Sequence, residues 1–308
     1  MQKQFLTPIL FITYNKLDTS KKVLKKIKNL NPKNLIISSD GPKNEADKVS
    51  IDELRDFFDT ELKELNFTKL YSTNNKGCKN TVETSLDYAF KNYSKLIILE
   101  DDTLPSNEFF NYAEKLLEIY FDEKNINAIS GYNYLSKSVS KNNHIFSKYI
   151  NIWGWASWSD RWFDRIELNE KNLQDFKKQN LNEIFYSEEE KDFYIKRFEE
   201  VVYNQLDTWD FGLCFSHFFK NQICIYPKYN LIKNLGFGHN KATHTKSYFK
   251  YYIETANFRL GILQDSKYEF KIPIKSLKYD RKFYNRVILK NTIYNKVIYY
   301  FIKFLNLK

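Results

Sequence analysis

Between residues 8 and 130, short aliphatic runs alternate with segments whose apolar residues recur every three or four positions. That alternation limits the chain to an α/β architecture. Residues 8–13 read as a strand. Residues 18–30 read as a helix with Val23, Leu24, Ile27 and Leu30 on one face, stopped by Asn31-Pro32. A second strand, 35–39, ends at Asp40-Gly41-Pro42; 44–64 reads as an acidic helix and 68–72 as a weaker strand. Asn80-Thr-Val-Glu83 has the form of a capping box before a helix to about residue 92. A strand at 96–99, a helix over about 106–122 and a strand at 126–130 complete the series. Strands separated by helices pair in parallel, so a mostly parallel central sheet flanked by helices is expected. After Gly131 the pattern changes. Residues 131–162 are irregular and rich in tryptophan, 164–205 are charged and helical, and 207–246 mix aromatics with glycines and two histidines. The expected organisation is one domain over 1–250, in halves 1–130 and 131–250, followed by a helical tail over 251–308.

The 308 residues and 43% hydrophobic content are ample for a packed core and exclude disorder. Three cysteines at unrelated spacings, Cys78, Cys214 and Cys224, argue against a disulfide framework or a structural zinc site. No apolar run approaches the ~18 residues that span a bilayer. A cytoplasmic location follows as an expectation. The net charge of +10 is uneven: residues 276–308 carry eight Lys/Arg against one acid, Asp280. The body is nearly balanced, so nucleic acid is not an expected partner. From 287 to 307 apolar residues alternate with Lys290, Lys296 and Lys303, the pattern of a basic amphipathic helix. Such a tail suits peripheral contact with the inner face of the cytoplasmic membrane, or packing on the body.

The acidic tripeptide Glu100-Asp101-Asp102 follows the aliphatic run 95–99 and precedes Thr103-Leu104-Pro105. Three acids alone read as a solvated turn. At the carboxyl end of a core strand they lie where open α/β sheets bind ligands, and a divalent cation holding a phosphorylated substrate is the simplest reason for them. Asp40, ending the second strand, could accept hydrogen bonds from a ribose or base edge, or serve as a turn residue before Gly-Pro. Thr13-Tyr14-Asn15-Lys16 ends the first strand, with Lys16 able to meet a phosphate. Asn75-Lys-Gly-Cys-Lys79 sets a glycine turn and two cations before a helix N-terminus, which suits an anion. Neither phosphate-binding glycine motif, G-x-x-x-x-G-K-[ST] or G-x-G-x-x-G, is present. Four of the five tryptophans fall at Trp153, Trp155, Trp158 and Trp162. They form either a core cluster or, around Gly154, a surface for the face of a sugar. Asp207-Thr208-Trp209-Asp210 holds two acids beside an aromatic ring, one of which could serve as a general base. His239 and His244 follow the glycines of 236–238.

In this order the motifs resemble nucleotide-sugar glycosyltransferases of the GT-A fold, most closely the N-acetylglucosaminyltransferase I type and its bacterial relatives. The likeness runs over about residues 8–246. It implies that Asp40 binds the nucleoside, that Asp102 touches a Mn²⁺ or Mg²⁺ ion with His244 reaching the metal or diphosphate, and that Trp153-Gly154-Trp155 lies over the donor sugar. Thr13, Tyr14, Asn15, Lys16, Lys79, Glu100 and Asp101 would line the donor site with Gly154 and Trp155. Trp209-Asp210 resembles the Trp-Asp that bears the catalytic base. Phe211 stands where the family has a second acid, so Asp207 is held in reserve. The implied reaction is inverting transfer from a UDP-sugar to a hydroxyl of a glycan or lipid-linked glycan. Three other readings are a sugar-nucleotide nucleotidyltransferase, a metal-dependent phosphatase or nuclease, which would need neither Asp40 nor the tryptophan loop, and a non-catalytic carbohydrate-binding protein. The first would carry a glycine-rich, arginine-bearing loop where Thr13-Tyr14-Asn15-Lys16 stands.

Overall fold

The structure, a computed structural model, describes residues 4–135, 144–236 and 275–285. One eight-stranded sheet runs through it, in the order β3 (Phe67–Tyr71), β2 (Leu35–Ser39), β1 (Ile9–Thr13), β4 (Lys95–Glu100), β8 (Trp155–Trp158), β6 (Ile126–Ser130), β9 (Ile223–Pro227) and β7 (His144–Ser147). The first four of these, β1 to β4, are all parallel. They are linked by α1 (Leu17–Lys28), α2 (Glu45–Glu61) and α3 (Cys78–Asn92), as the alternating pattern requires. Every residue of β1 and β2 is buried, which explains their unbroken aliphatic runs.

Side chains alternate between the two faces. Ile9, Phe11, Ile97 and Leu99 enter one core with α1, α2 and α4 (Asn107–Ile119). Leu10, Ile12, Leu96 and Ile98 enter the other, with α3 and the later helices. Those helices are α5 (Ser159–Phe163), α6 (Glu170–Lys177), α7 (Leu181–Ile184), α8 (Glu188–Val202), α9 (Asp210–Phe219) and α10 (Leu277–Phe283).

Three departures from the sequence pattern bear on the site. Residues 131–162 are not wholly irregular: β7 (His144–Ser147) and β8 (Trp155–Trp158) both join the central sheet. β8 runs antiparallel between β4 and β6 (Ile126–Ser130), so strands from both halves of the chain share one sheet. Each spans four residues, too few for periodicity to reveal. The strand ending at Glu100 is followed by a two-residue turn and a further strand, β5 (Thr103–Pro105), which pairs with β10 (Ile232–Asn234). Finally, α3 starts at Cys78 with Gly77 as its cap, two residues before the expected capping box. Asn80 lies inside the first turn and donates to the Lys76 carbonyl (3.0 Å).

The last described segment, 275–285, lies within the stretch read from sequence as a helical tail over 251–308, and its α10 packs into the core. Tyr279 and Phe283 are buried, and Phe283 stacks on Tyr149 at 4.2 Å. Asp280, the lone acid among the C-terminal cations, accepts hydrogen bonds from Ser147 Oγ (2.6 Å), Tyr186 Oη (3.3 Å) and the Lys148 backbone N–H (3.4 Å). The amphipathic stretch 287–307 lies outside the described residues. Among the described residues no helix is long and apolar enough to cross a membrane. β9 (Ile223–Pro227), between β6 and β7, completes the sheet.

Two buried titrating groups shape the pH dependence of stability. His217 on α9 contacts the Lys148 carbonyl oxygen (3.0 Å) and Asn127 Nδ2 (3.4 Å). Burial, and secondarily Lys275, push its imidazole down from 6.5 to about 3. Its stabilising contribution is therefore full above pH 6.5 and is lost as pH falls toward 3, by about 1.4 kcal/mol per unit. Burial pushes the Asp280 carboxyl up from 3.8 to about 6, so its contribution is full below 3.8 and lost as pH rises through 6. The two slopes oppose one another between those values. In urea denaturation from pH 7 to pH 4, the stability advantage of wild type over His217→Asn is expected to shrink by about 1.4 kcal/mol per pH unit below 6.5. A constant difference would show that His217 titrates alike in folded and unfolded protein.

Candidate active site

Because β1, β2 and β4 are parallel, their carboxyl ends share one edge. Thr13 pairs with Ser39, and Ile12 with Glu100. The polar residues that end these strands are thereby brought together. Thr13 itself is spent on the sheet: its hydroxyl is buried and donates to the Ser38 carbonyl (2.9 Å). Tyr14 Oη (2.8 Å) and Asn15 Nδ2 (2.7 Å) both donate to Asp47, in the first turn of α2. That pair fastens the end of β1 to the start of α2. Burial and the Asp47 carboxylate hold the Tyr14 phenol well above its ordinary value.

Lys16 lies at the centre of the acidic cluster. Its ammonium donates to Asp101 Oδ1 (3.0 Å) and to Asp102 Oδ2 (2.7 Å). Side-chain exposure of the three groups is 13%, 8% and 18%, so water screens them little. Burial opposes the charge on Lys16, but the two carboxylates outweigh it and hold its pKa above the usual lysine range. Asp101 Oδ2 also accepts from the Tyr14 backbone N–H (3.2 Å), so both oxygens of Asp101 are engaged. Desolvation lifts the Glu100 carboxyl to about 8, helped by repulsion from Asp102 and Asp101. The segment after β10 crosses Asp102 closely. The Leu235 N–H donates to the Asp102 carbonyl (2.7 Å), and a Cβ on Gly236 would meet Asp102 Oδ2 at 2.4 Å. A side chain there would have to push the Asp102 carboxylate aside. His239 and His244 follow in sequence but lie outside the described residues.

Asp40, 4% exposed, accepts from the backbone N–H groups of Gly41 (2.8 Å), Lys76 (2.9 Å) and Gly77 (3.1 Å) and from Asn75 Nδ2 (2.9 Å). Its carboxylate is thus the anchor of the loop that leads into α3. Arg55, which the sequence reading passed over, braces the same edge. Its guanidinium donates to the carbonyls of Ser39 (2.9 Å), Asp40 (3.0 Å) and Ser72 (2.8 Å). A signal was present: Arg55 lies four residues after buried Ile51, on the inward stripe of an otherwise acidic helix. Lys79 is in the first turn of α3, close enough to Glu83 to stabilise its charge.

Across from the tripeptide, α9 opens with Asp210. Asp210 Oδ1 accepts from Thr208 Oγ1 and from the Phe211 backbone N–H (2.8 Å). Its other oxygen accepts nothing among the described residues. Asp207 is exposed, with Oδ2 beside Gly77 at the N-terminus of α3. Cys78 joins the two acidic groups. Partial desolvation, then the charges of Glu100, Asp207, Asp210 and Asp101, push its thiol up to about 12. One short helix start therefore feels acids from both sides. The expected aspartates, separated by over a hundred residues, do converge.

The tryptophan segment turns out differently. Trp155 is 2% exposed within β8, its ring stacked on Trp209 at 6.0 Å. Trp158 and Trp162 are buried and donate to the Leu117 carbonyl (3.0 Å) and to Asp87 (2.7 Å). Gly154 has φ of 59°, and a Cβ there would strike Ile232 Cδ1 at 2.4 Å. The space its missing side chain leaves is filled by Ile232, not held open for a flat ligand. Three of the four rings and the glycine belong to the core.

The acidic pair suits a hard divalent cation. Two carboxylates already converge on one positive charge, and such ions take one or two protein carboxylates plus phosphate and water oxygens. Asp102 Oδ1 has no partner among the described residues, where no cluster of three or more His, Cys, Asp or Glu could hold an ion by itself.

No family model matches the sequence, and no curated protein matches it. Solved structures to which the chain shows some similarity include the mannosyltransferase PcManGT from Pyrobaculum calidifontis, in complex with GDP-Man and Mn²⁺. It is 13% identical, with 50% of this chain and 45% of that chain covered and a TM-score of 0.34. TarS 1–349 from S. aureus is 11% identical, covering 72% of this chain and 60% of that one at a TM-score of 0.39. The 4-diphosphocytidyl-2C-methyl-D-erythritol synthase from Anaerococcus prevotii is 10% identical, covering 74% and 90% at a TM-score of 0.37. The chain thus spans less than two thirds of the length of the first two. Glycosyltransferases and nucleotidyltransferases both stand among these structural neighbours.

Proposed function

We propose that this protein is an inverting glycosyltransferase of the N-acetylglucosaminyltransferase I type, moving a sugar from a UDP-sugar to a hydroxyl of a glycan or lipid-linked glycan. The observation that carries this reading is the convergence on one sheet edge of Lys16, Asp101 and Asp102 with Asp210 and Asp207 across the start of α3. On this reading the first group takes a cation and a diphosphate, and the second supplies the base.

The chain's own residues divide the work as follows. Asp102, joined by His244, would hold a Mn²⁺ or Mg²⁺ ion, which when bound neutralises charge on the departing nucleoside diphosphate. Free N–H groups at the start of α3 and the side chain of Lys79 favour an anion in the same place. The loop fastened by Asp40 positions that helix start, and the end of β1 with Tyr14 borders the nucleoside. Asp210 accepts the proton of the acceptor hydroxyl on its uncommitted oxygen; Thr208 and the Phe211 N–H hold the other oxygen and fix the carboxylate's direction. Attack from the face opposite the leaving group inverts the anomeric carbon in one displacement.

A thermal-shift comparison of UDP-, GDP- and CMP-sugars, each with and without Mn²⁺, tests the reading. A stabilising shift with UDP-sugars that grows when Mn²⁺ is added is the expected outcome. No shift with any nucleotide would reject a nucleotide-sugar enzyme and leave carbohydrate binding alone.

A further inference from the structure

We propose that Lys16 competes with a divalent ion for the Asp101–Asp102 pair and, once displaced, pairs with the donor's diphosphate. This rests on the transferase reading above and assigns Lys16 a positioning role within it. The ammonium sits between Asp101 Oδ1 and Asp102 Oδ2 at 3.0 and 2.7 Å. It is thus centred where a shared ion would draw both carboxylates. All three groups are largely shielded, so a second positive charge arriving beside Lys16 meets strong repulsion. Asp101 has no spare oxygen, because Oδ2 is held by the Tyr14 N–H. A side chain at position 236 would crowd Asp102 Oδ2, its Cβ falling 2.4 Å away. An ion that bridges Asp101 Oδ1 and Asp102 Oδ2 would take the position of the Lys16 ammonium. Two of the three ammonium protons are used on the aspartates, and the flexible four-carbon stem lets the group turn without moving the backbone. The charge balance favours the exchange only with donor present. The pair and Lys16 sum to one negative charge. A divalent ion leaves an excess positive charge, which a nucleoside diphosphate neutralises. Lys16 would then oppose the ion in the absence of nucleotide and assist the nucleotide once the ion is bound.

The proposal predicts effects of opposite sign from one substitution. Calorimetric titration with MnCl₂ alone should show Lys16→Met binding Mn²⁺ about tenfold more tightly than wild type. Titration of Mn²⁺-saturated protein with UDP should show the same variant binding UDP about tenfold more weakly. Lys16→Arg keeps the charge and should tighten Mn²⁺ binding little or not at all. It thus separates charge from fold, and melting curves of both variants report whether the body is intact. Equal or weaker Mn²⁺ binding by Lys16→Met would overturn the competition, even with nucleotide binding intact. Unchanged UDP affinity would overturn the second half. Failure of wild type to bind UDP in saturating Mn²⁺ would instead reject the transferase reading, and wild type alone reveals it.

Discussion

Replacing Asp210 by asparagine is expected to lower turnover by about 10²–10⁴-fold while leaving donor affinity unchanged. The substitution is nearly isosteric. Asparagine's carbonyl oxygen can keep the bonds from Thr208 Oγ1 and the Phe211 N–H that Asp210 Oδ1 now accepts, so the start of α9 should hold its shape. What changes is the other atom. A carboxylate oxygen able to accept a proton becomes an amide NH₂ that cannot. Release of nucleoside diphosphate measures turnover, and calorimetry with a non-transferring donor analogue measures affinity. Native turnover in Asp210→Asn, with loss in Asp207→Asn, would move the base to Asp207, the exposed acid beside Gly77. Loss of donor affinity along with turnover would mean that Asp210 positions the donor rather than the acceptor.

Asp40→Ala should destabilise the protein by about 3 kcal/mol and weaken nucleotide binding in parallel. Four hydrogen bonds converge on this one carboxylate, three from backbone N–H groups. Bonds to a charged acceptor contribute about 1.5–3 kcal/mol each, but the loop at residues 75–77 is partly open to water, which would replace some of them. The estimate therefore sits well below the sum. Arg55 limits the damage, since it braces the carbonyls of Ser39, Asp40 and Ser72 independently of the Asp40 side chain. Asp40→Asn should lose roughly half as much, because one acceptor oxygen survives. Urea denaturation and UDP titration on the same samples check both effects. A change in stability below about 0.5 kcal/mol would show that the loop before α3 is held without Asp40.

The parallel half of the sheet could be read directly. Strands buried on both faces become unbroken aliphatic runs, and amphipathic helices between them mark the crossovers; both are local patterns. Placing polar residues at strand ends then put Lys16, Asp40 and the acidic tripeptide on one edge without any knowledge of contacts. Local pattern failed where strands shrank to four residues, as in β7 and β8, and where an aromatic segment could serve either a ligand or a core. Trp155 and Gly154 were decided by neighbours remote in sequence: Trp209 covers the ring, and Ile232 fills the space beside the glycine.

By itself, then, the chain's sequence determined the α/β class, the parallel strands and the chemical character of the sheet edge, because these depend on residue type at short spacing. Tertiary structure alone decided which charges meet. Lys16 reaches Asp101 and Asp102 across 85 and 86 residues, and Ser147 holds Asp280 across 133. Partners that far apart leave no periodic trace. Their pairing is set by which side chains the folded sheet brings within hydrogen-bond distance in a site too dry to leave a charge alone.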